Sequence, residues 1–179
     1  MRKPSAAAGS ALFFALAPGI VAGLMPYMLT GWETGEEWWL PLRVLGGVLT
    51  AAAAAVLVHA FARFVSEGLG TPAPVAPTEH LVVGGLYRYV RNVMYIAVTT
   101  AILGQALLLG QSVLLAYGAL MWAFMAAFVK LYEEPTLADR YGAQYEEYRR
   151  AVPAWWPRLS GGRSPSSSPS RRGSGRRRR

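Results

Sequence analysis

The stretch MYIAVTTAILGQALLLGQSVLLAYGALMWAFMAAFVKL, residues 94–131, contains one base, no acid and one obvious break, at Gly110-Gln111. Its apolar runs are too long for strands and show no period-two alternation. They read as two helices, Met94 to Gly110 and Ser112 to Leu131, folded into a tight antiparallel hairpin. Each approaches the length needed to cross ~30 Å of hydrocarbon, where backbone polar groups must pair internally and a helix is the default. Working outward, Leu42 to Phe64 gives a third such run, including Ala51 to Ala55. Ala11 to Thr30 gives a fourth, interrupted by Pro18 and Pro26. The expected fold is therefore all-α: a polytopic integral membrane protein with about four transmembrane helices, 11–30, 42–64, 94–110 and 112–131. Gly19 and Gly23 form a G-x-x-x-G pair suited to close helix contact.

Composition agrees. The 179 residues are 53% hydrophobic and only 16% charged, against about 25% charged in ordinary soluble domains. A soluble enzyme with a charged exterior and a largely disordered chain are both excluded on this ground. The net charge of +8 resides in residues 158–179, which hold eight arginines and no acid; ten bases and ten acids remain in 1–157. Residues 1–157 thus read as one domain and 158–179 as a disordered Arg/Ser-rich tail. The tail's expected partner is anionic lipid rather than nucleic acid. The chain has no cysteine, so it has no disulfide, thiolate metal site or cysteine nucleophile.

Basic residues set the expected orientation. Arg2 and Lys3, the loop bearing Arg88 and Arg91, and the tail fall on one side, which positive-inside reasoning makes cytoplasmic. Both termini are then cytoplasmic, and the loop with Trp32, Trp38, Trp39, Glu33, Glu36 and Glu37 lies outside. Arg2 and Lys3 before an apolar run also resemble a signal peptide, but the run is long and three more follow, so a retained first helix is expected. Gly68 to Pro77 reads as a connector. Thr136 to about Arg150 reads as an amphipathic helix with Thr136 and Asp139 as a capping box, Leu137, Tyr141, Tyr145 and Tyr148 on one face, and Glu146 paired with Arg150.

Polar groups concentrate in Glu79 to Tyr95 and in Glu133-Glu134, which the hairpin brings to the same side. Acids at a helix C-terminus oppose the macrodipole. They either mark a solvated helix end or bind a cationic ligand group. His59, Arg63 and Glu67 recur at i, i+4 and i+8 on the second span. Either they are structural, or His59 and Arg63 serve the chemistry, with His59 accepting a proton. Two histidines cannot build a zinc site alone.

The order of motifs carries a resemblance. Gly70-Thr71-Pro72-Ala73-Pro74 is followed by Leu81-Val82-Val83-x-Gly85-x-Tyr87-Arg88-x-x-Arg91-Asn92-x-Met94-Tyr95. Then come Glu133-Glu134-x-x-Leu137, Tyr141-Gly142-x-x-Tyr145-x-x-Tyr148 and Val152-Pro153. This series resembles the isoprenylcysteine carboxyl methyltransferase family and the wider phospholipid methyltransferase group. The resemblance implies S-adenosylmethionine as methyl donor and a lipophilic or small acceptor at the cytoplasmic membrane boundary. It places the cofactor against Glu79, His80, Leu81, Val82, Tyr87, Asn92, Val93, Met94, Tyr95 and Glu133. Glu133 suits the cofactor's ammonium, and Arg88 or Arg91 its carboxylate.

Two positions depart from the family pattern. Val93 stands where proline is usual, and Val129 stands where the isoprenylcysteine enzymes have a substrate-binding arginine. The second points to an acceptor other than prenylcysteine. A non-catalytic membrane scaffold and a nicotinamide-dependent membrane reductase remain as alternatives.

Overall fold

In the computed structural model, which describes residues 16–36, 38–68, 81 and 83–157, the chain reverses at Gly110 as the sequence requires. Gly110 takes a left-handed conformation (φ 67°), and its N–H bonds the Ala106 carbonyl at the end of the preceding helix. Glycine adopts this cap without a Cβ penalty. Among the described residues every regular element is helical. We label them α1 (Leu16–Thr30), α2 (Leu40–Gly68), α3 (Val93–Leu109), α4 (Ser112–Phe128), α5 (Glu134–Tyr141) and α6 (Ala143–Ala151). A π-turn, Val129–Glu133, joins α4 to α5 without interrupting the helical path.

α3 is the axis of the bundle. It buries Val93, Ala97, Val98, Thr99, Ala101, Ile102, Gly104, Gln105 and Ala106, and its neighbours are α1, α2 and α4. The α2–α3 contact is close enough to exclude side chains. A Cβ at Gly46 would lie 2.6 Å from the Gly104 carbonyl oxygen, and one at Gly104 would lie 2.9 Å from that of Gly46. This is the small-residue contact of the bundle. The expected contact through Gly19 and Gly23 is not borne out at Gly23, where an added Cβ would meet nothing within 4 Å.

The outer helices face away from protein. Leu40–Arg63 and Ser112–Tyr141 are long and apolar enough to cross a membrane, yet only 22% of the most apolar window of each is buried. A soluble core helix would be covered by protein. Instead Val44, Val48 and Val58 of α2 and Leu120, Trp122 and Phe124 of α4 stand exposed. So much open apolar surface requires a nonaqueous surrounding. Leu16–Thr30 and Val93–Leu109 are apolar but shorter.

Pro26 explains the distortion in α1. Met25 donates its N–H to Ile20 across a π-turn, and Pro26 has no N–H. The Val21 and Ala22 carbonyls therefore lose the donors four residues on. Tyr117 Oη donates to Val21 O at 2.9 Å, and Gln105 Nε2 donates to Ala22 O at 2.7 Å. These bonds fasten α1 to α4 and α3.

The C-terminal helix differs from expectation. It starts as a continuation of α4, because Pro135 falls in the first turn of α5, where proline is tolerated. Thr136 does not cap; its hydroxyl donates back to Tyr132 O at 2.7 Å. Gly142 (φ 51°) divides the segment into α5 and α6. Glu146 pairs with Arg149 at 3.1 Å, three residues on, instead of with Arg150. Residues 11–15, the Gly70–Pro74 element, the side chain of Glu67 and the tail lie outside the described residues.

Gln105→Leu leaves Ala22 O without its donor in an apolar setting. We expect a loss of about 0.5–2 kcal/mol, read from unfolding in mixed micelles. An unchanged midpoint would show that α1 is held by other contacts.

Candidate functional site

The start of α3 is a buried helix end, so its backbone groups must find partners away from water. The segment after α6 supplies them. Arg91 N donates to Pro153 O at 3.0 Å and Asn92 N to Ala154 O at 3.2 Å. Val93 opens the helix and is buried beside Ala60, Tyr87 and Val90. Valine thus occupies a first-turn position where a proline would fit, and adds packing there. Asn92 is 7% exposed, and its Nδ2 has no hydrogen-bond partner among the described residues. A buried donor left unmade costs about 1–3 kcal/mol, a cost that a bound ligand's acceptor would offset.

Arg91 organises the surrounding cluster. Its Nη1 donates to Glu134 Oε1 and to Tyr145 Oη, both at 2.9 Å, and its Nε donates to Val152 O at 3.1 Å. Among the described residues its Nη2 has no hydrogen-bond partner. Next to it, Tyr95 Oη donates to Glu133 Oε2 at 2.7 Å. The two adjacent acids therefore have separate partners. Tyr148 Oη donates to the Tyr87 carbonyl at 2.6 Å, tying α6 to the 3-10 turn Gly85–Arg88. Burial pushes the phenols of Tyr87, Tyr148 and Tyr145 up, although Arg91 opposes the shift at the latter two. All three remain protonated donors at neutral pH.

Two cavities meet at this cluster. The first, about 710 Å³ including its open mouth, lies between α1, α3 and α4, with walls from Ala17, Pro18, Val21, Met94, Tyr95, Val98 and Met125. The second, about 540 Å³ on the same basis, is lined by Leu81, Val129, Glu134, Leu137, Tyr145 and Tyr148. Tyr87, Arg91, Asn92 and Glu133 belong to both. An apolar chamber and a more polar one thus share a wall of titratable and hydrogen-bonding groups.

The structure separates the sequence candidates. Leu81, Tyr87, Arg91, Asn92, Met94, Tyr95 and Glu133 line the cavities, whereas Val93 packs in the core. Between the two arginines left open, Arg91 is at the site. Arg88 is exposed and lies over the Tyr89 ring at 4.8 Å. Glu79, His80 and Val82 fall outside the described residues. His59 is exposed, and neither it nor Arg63 lines either cavity. Both pack against Gly85, where a Cβ would meet His59 Nε2 at 3.3 Å and Arg63 Nε at 3.2 Å. Among the described residues there is no acid–histidine group able to hold a metal ion.

Sequence reasoning missed the Arg91–Glu134 pair and the α1 wall, and placed Tyr145 and Tyr148 on a helix face without giving them a role at the site. Their place in the Tyr141-Gly142-x-x-Tyr145-x-x-Tyr148 motif was the signal that pointed to them. Nothing local marks Glu134 as a partner of Arg91.

The side chains of Arg91 and Glu134 are only 12% and 22% exposed. Glu134→Ala is expected to cost about 1.5–3 kcal/mol in denaturant unfolding, as for a hydrogen bond to a charged group. Arg149→Ala, which removes an exposed pair, should cost about 1 kcal/mol or less. Equal shifts would remove the special role of the first pair.

Comparison with known proteins fits this geometry. A protein-S-isoprenylcysteine O-methyltransferase of Schizosaccharomyces pombe is 36% identical over 81 residues, covering 44% of this chain and 34% of that protein. The match thus spans about a third of the relative's length. No solved structure matches. The phospholipid methyltransferase family model matches residues 42–144, which include all but the first two residues of α2, the whole of α3 to α5 and both acids of the site. More than half the chain is covered, and the protein belongs to the phospholipid methyltransferase family.

Proposed function

We propose that the two joined cavities form an S-adenosylmethionine-dependent methyl-transfer site at the cytoplasmic boundary of a four-span bundle. The observation that carries this reading is Asn92: a buried donor without a partner, in the wall shared by a polar and an apolar chamber. The residue types fit the donor. Glu133 can receive an ammonium, while Arg91 Nη2 and Asn92 Nδ2 can receive a carboxylate. When bound, the cofactor supplies an electrophilic methyl group.

In-line transfer at carbon needs no protein nucleophile, only alignment and exclusion of water. Arg91, held at three points, and Tyr95, held by Glu133, keep the shared wall rigid. The apolar chamber offers Ala17, Pro18, Val21, Val98 and Met125 to a lipophilic acceptor. Val129 is buried in the wall of the second chamber, and Lys130 is exposed. The position thus brings no cation for an acceptor carboxylate, which favours an acceptor other than prenylcysteine. Four crossings, with both termini cytoplasmic, agree with the four apolar helices and with the arginines at the α3 start. Family membership favours methyl transfer over the reductase and scaffold alternatives.

Calorimetry with the solubilised protein tests the reading. We expect micromolar S-adenosylmethionine binding, weakened at least tenfold by Glu133→Ala, a loss of about 1.4 kcal/mol. A folded, helical sample that binds none would overturn it. Binding indifferent to Glu133→Ala would move the cofactor elsewhere.

A further inference from the structure

The second half of α2 carries two polar side chains that lie outside both chambers. His59 and Arg63 stand one turn apart on the same helix face, and neither lines a wall of the methyl-transfer cavities. They converge instead on one backbone position. A Cβ built on Gly85 would lie 3.3 Å from His59 Nε2, 3.2 Å from Arg63 Nε and 3.4 Å from Arg63 Cγ. The Arg63 stem thus lies across the glycine, as long cationic side chains do when the stem packs and the head stays wet. Gly85 also has φ 57°, so the position needs glycine both for its conformation and for this approach.

Gly85 opens the 3-10 turn Gly85–Arg88, which carries Tyr87. Tyr87 is buried and belongs to both chambers. Bonds within the turn are local: Tyr87 N donates to Gly84 O at 3.1 Å and Tyr89 N to Leu86 O at 3.0 Å. They give the turn its shape but not its place, and so short a 3-10 piece does not fix its own position. The place comes from two sides. Tyr148 Oη on α6 donates to the Tyr87 carbonyl at 2.6 Å. On the other side α2 packs against the turn, with Ala60 clustered beside Tyr87, Val90 and Val93 and with His59 and Arg63 on Gly85.

We infer that His59 and Arg63 are positioning residues for the methyl-transfer site. By bearing on Gly85 they set where Tyr87 stands in the wall shared by the two chambers. The inference rests on the methyl-transfer reading and adds to it two residues outside both chambers. Alignment is what in-line transfer asks of the protein, and a turn that drifts toward α2 carries Tyr87 out of the wall. Arg63 acts through its stem, so bulk and not charge is what this position requires.

The test uses the solubilised full chain with S-adenosylmethionine as probe. Calorimetry gives Kd well below the unfolding midpoint of each variant, and the midpoint is read separately in the same micelles. We expect His59→Ala and Arg63→Ala each to weaken binding about threefold or more while the midpoint barely moves. Arg63→Met, which keeps the stem and loses the charge, should bind within about twofold of the unaltered protein. Gly85→Ala, which wedges the turn away from α2, should weaken binding at least as much as Arg63→Ala. A lowered midpoint with unchanged Kd would make the pair structural only and overturn the proposal. Equal losses in Arg63→Met and Arg63→Ala would overturn it too, because charge would then be what matters. Should Arg63→Ala fail to fold, His59→Ala decides, since His59 is exposed: unchanged Kd there refutes the assignment. If the unaltered protein binds no S-adenosylmethionine, the methyl-transfer reading itself fails and the proposal falls with it; binding that ignores all four substitutions sinks the proposal alone.

Discussion

One guanidinium ties the site together. Arg91 bonds Glu134, Tyr145 and the Val152 carbonyl, and so joins the start of α3 to α5, α6 and the segment after α6. With α5 fixed by Glu134, the neighbouring Glu133 reaches Tyr95. With α6 fixed by Tyr145, Tyr148 reaches the Tyr87 carbonyl. The pair is largely shielded from water, so removing either charge would strand the other at a cost beyond what the contact itself contributes. The shared wall of the two chambers is a consequence of this junction.

The same demand for polar partners governs the rest of the bundle. Where lipid replaces water, every released backbone group must find a donor or acceptor inside the protein. Pro26 strips α1 of its regular bonds, and Gln105 and Tyr117 replace them. The α3 C-terminus ends in orphan carbonyls, and the loop from Gly35 to Arg43 caps them. Asn92 Nδ2 departs from this rule, a buried donor without a partner among the described residues, and the residue lines both chambers. The family match begins at residue 42 and ends at 144. The α1 wall of the apolar chamber and most of α6, with the Arg91 partners Tyr145 and Val152, lie beyond it.

Much of this was legible in the sequence, for definite reasons. Long apolar runs and the Gly110-Gln111 break determine the α3–α4 hairpin. The hairpin then brings Glu133 to Tyr95, as the position of both at the same end requires. Other features were not legible because they depend on partners. The G-x-x-x-G at Gly19 and Gly23 says nothing of what lies opposite, and the close approach occurs at Gly46 and Gly104. Glu133-Glu134-Pro135 reads as a helix stop, yet a proline in a first turn let the helix run on to Tyr141. The choice between Arg88 and Arg91 awaited the position of Glu134. The spacing of His59 and Arg63 identified a common helix face but not what covered it, which is Gly85.

The central claim is that the cofactor lies at the wall made by Tyr87, Arg91, Asn92, Tyr95 and Glu133. Ultraviolet cross-linking with radiolabelled S-adenosylmethionine, followed by peptide mapping, tests it most directly. The account predicts label on peptides from the 81–95 and 129–148 stretches, competed away by S-adenosylhomocysteine. Competable label confined to the His59–Arg63 region, with none at these two stretches, would contradict it.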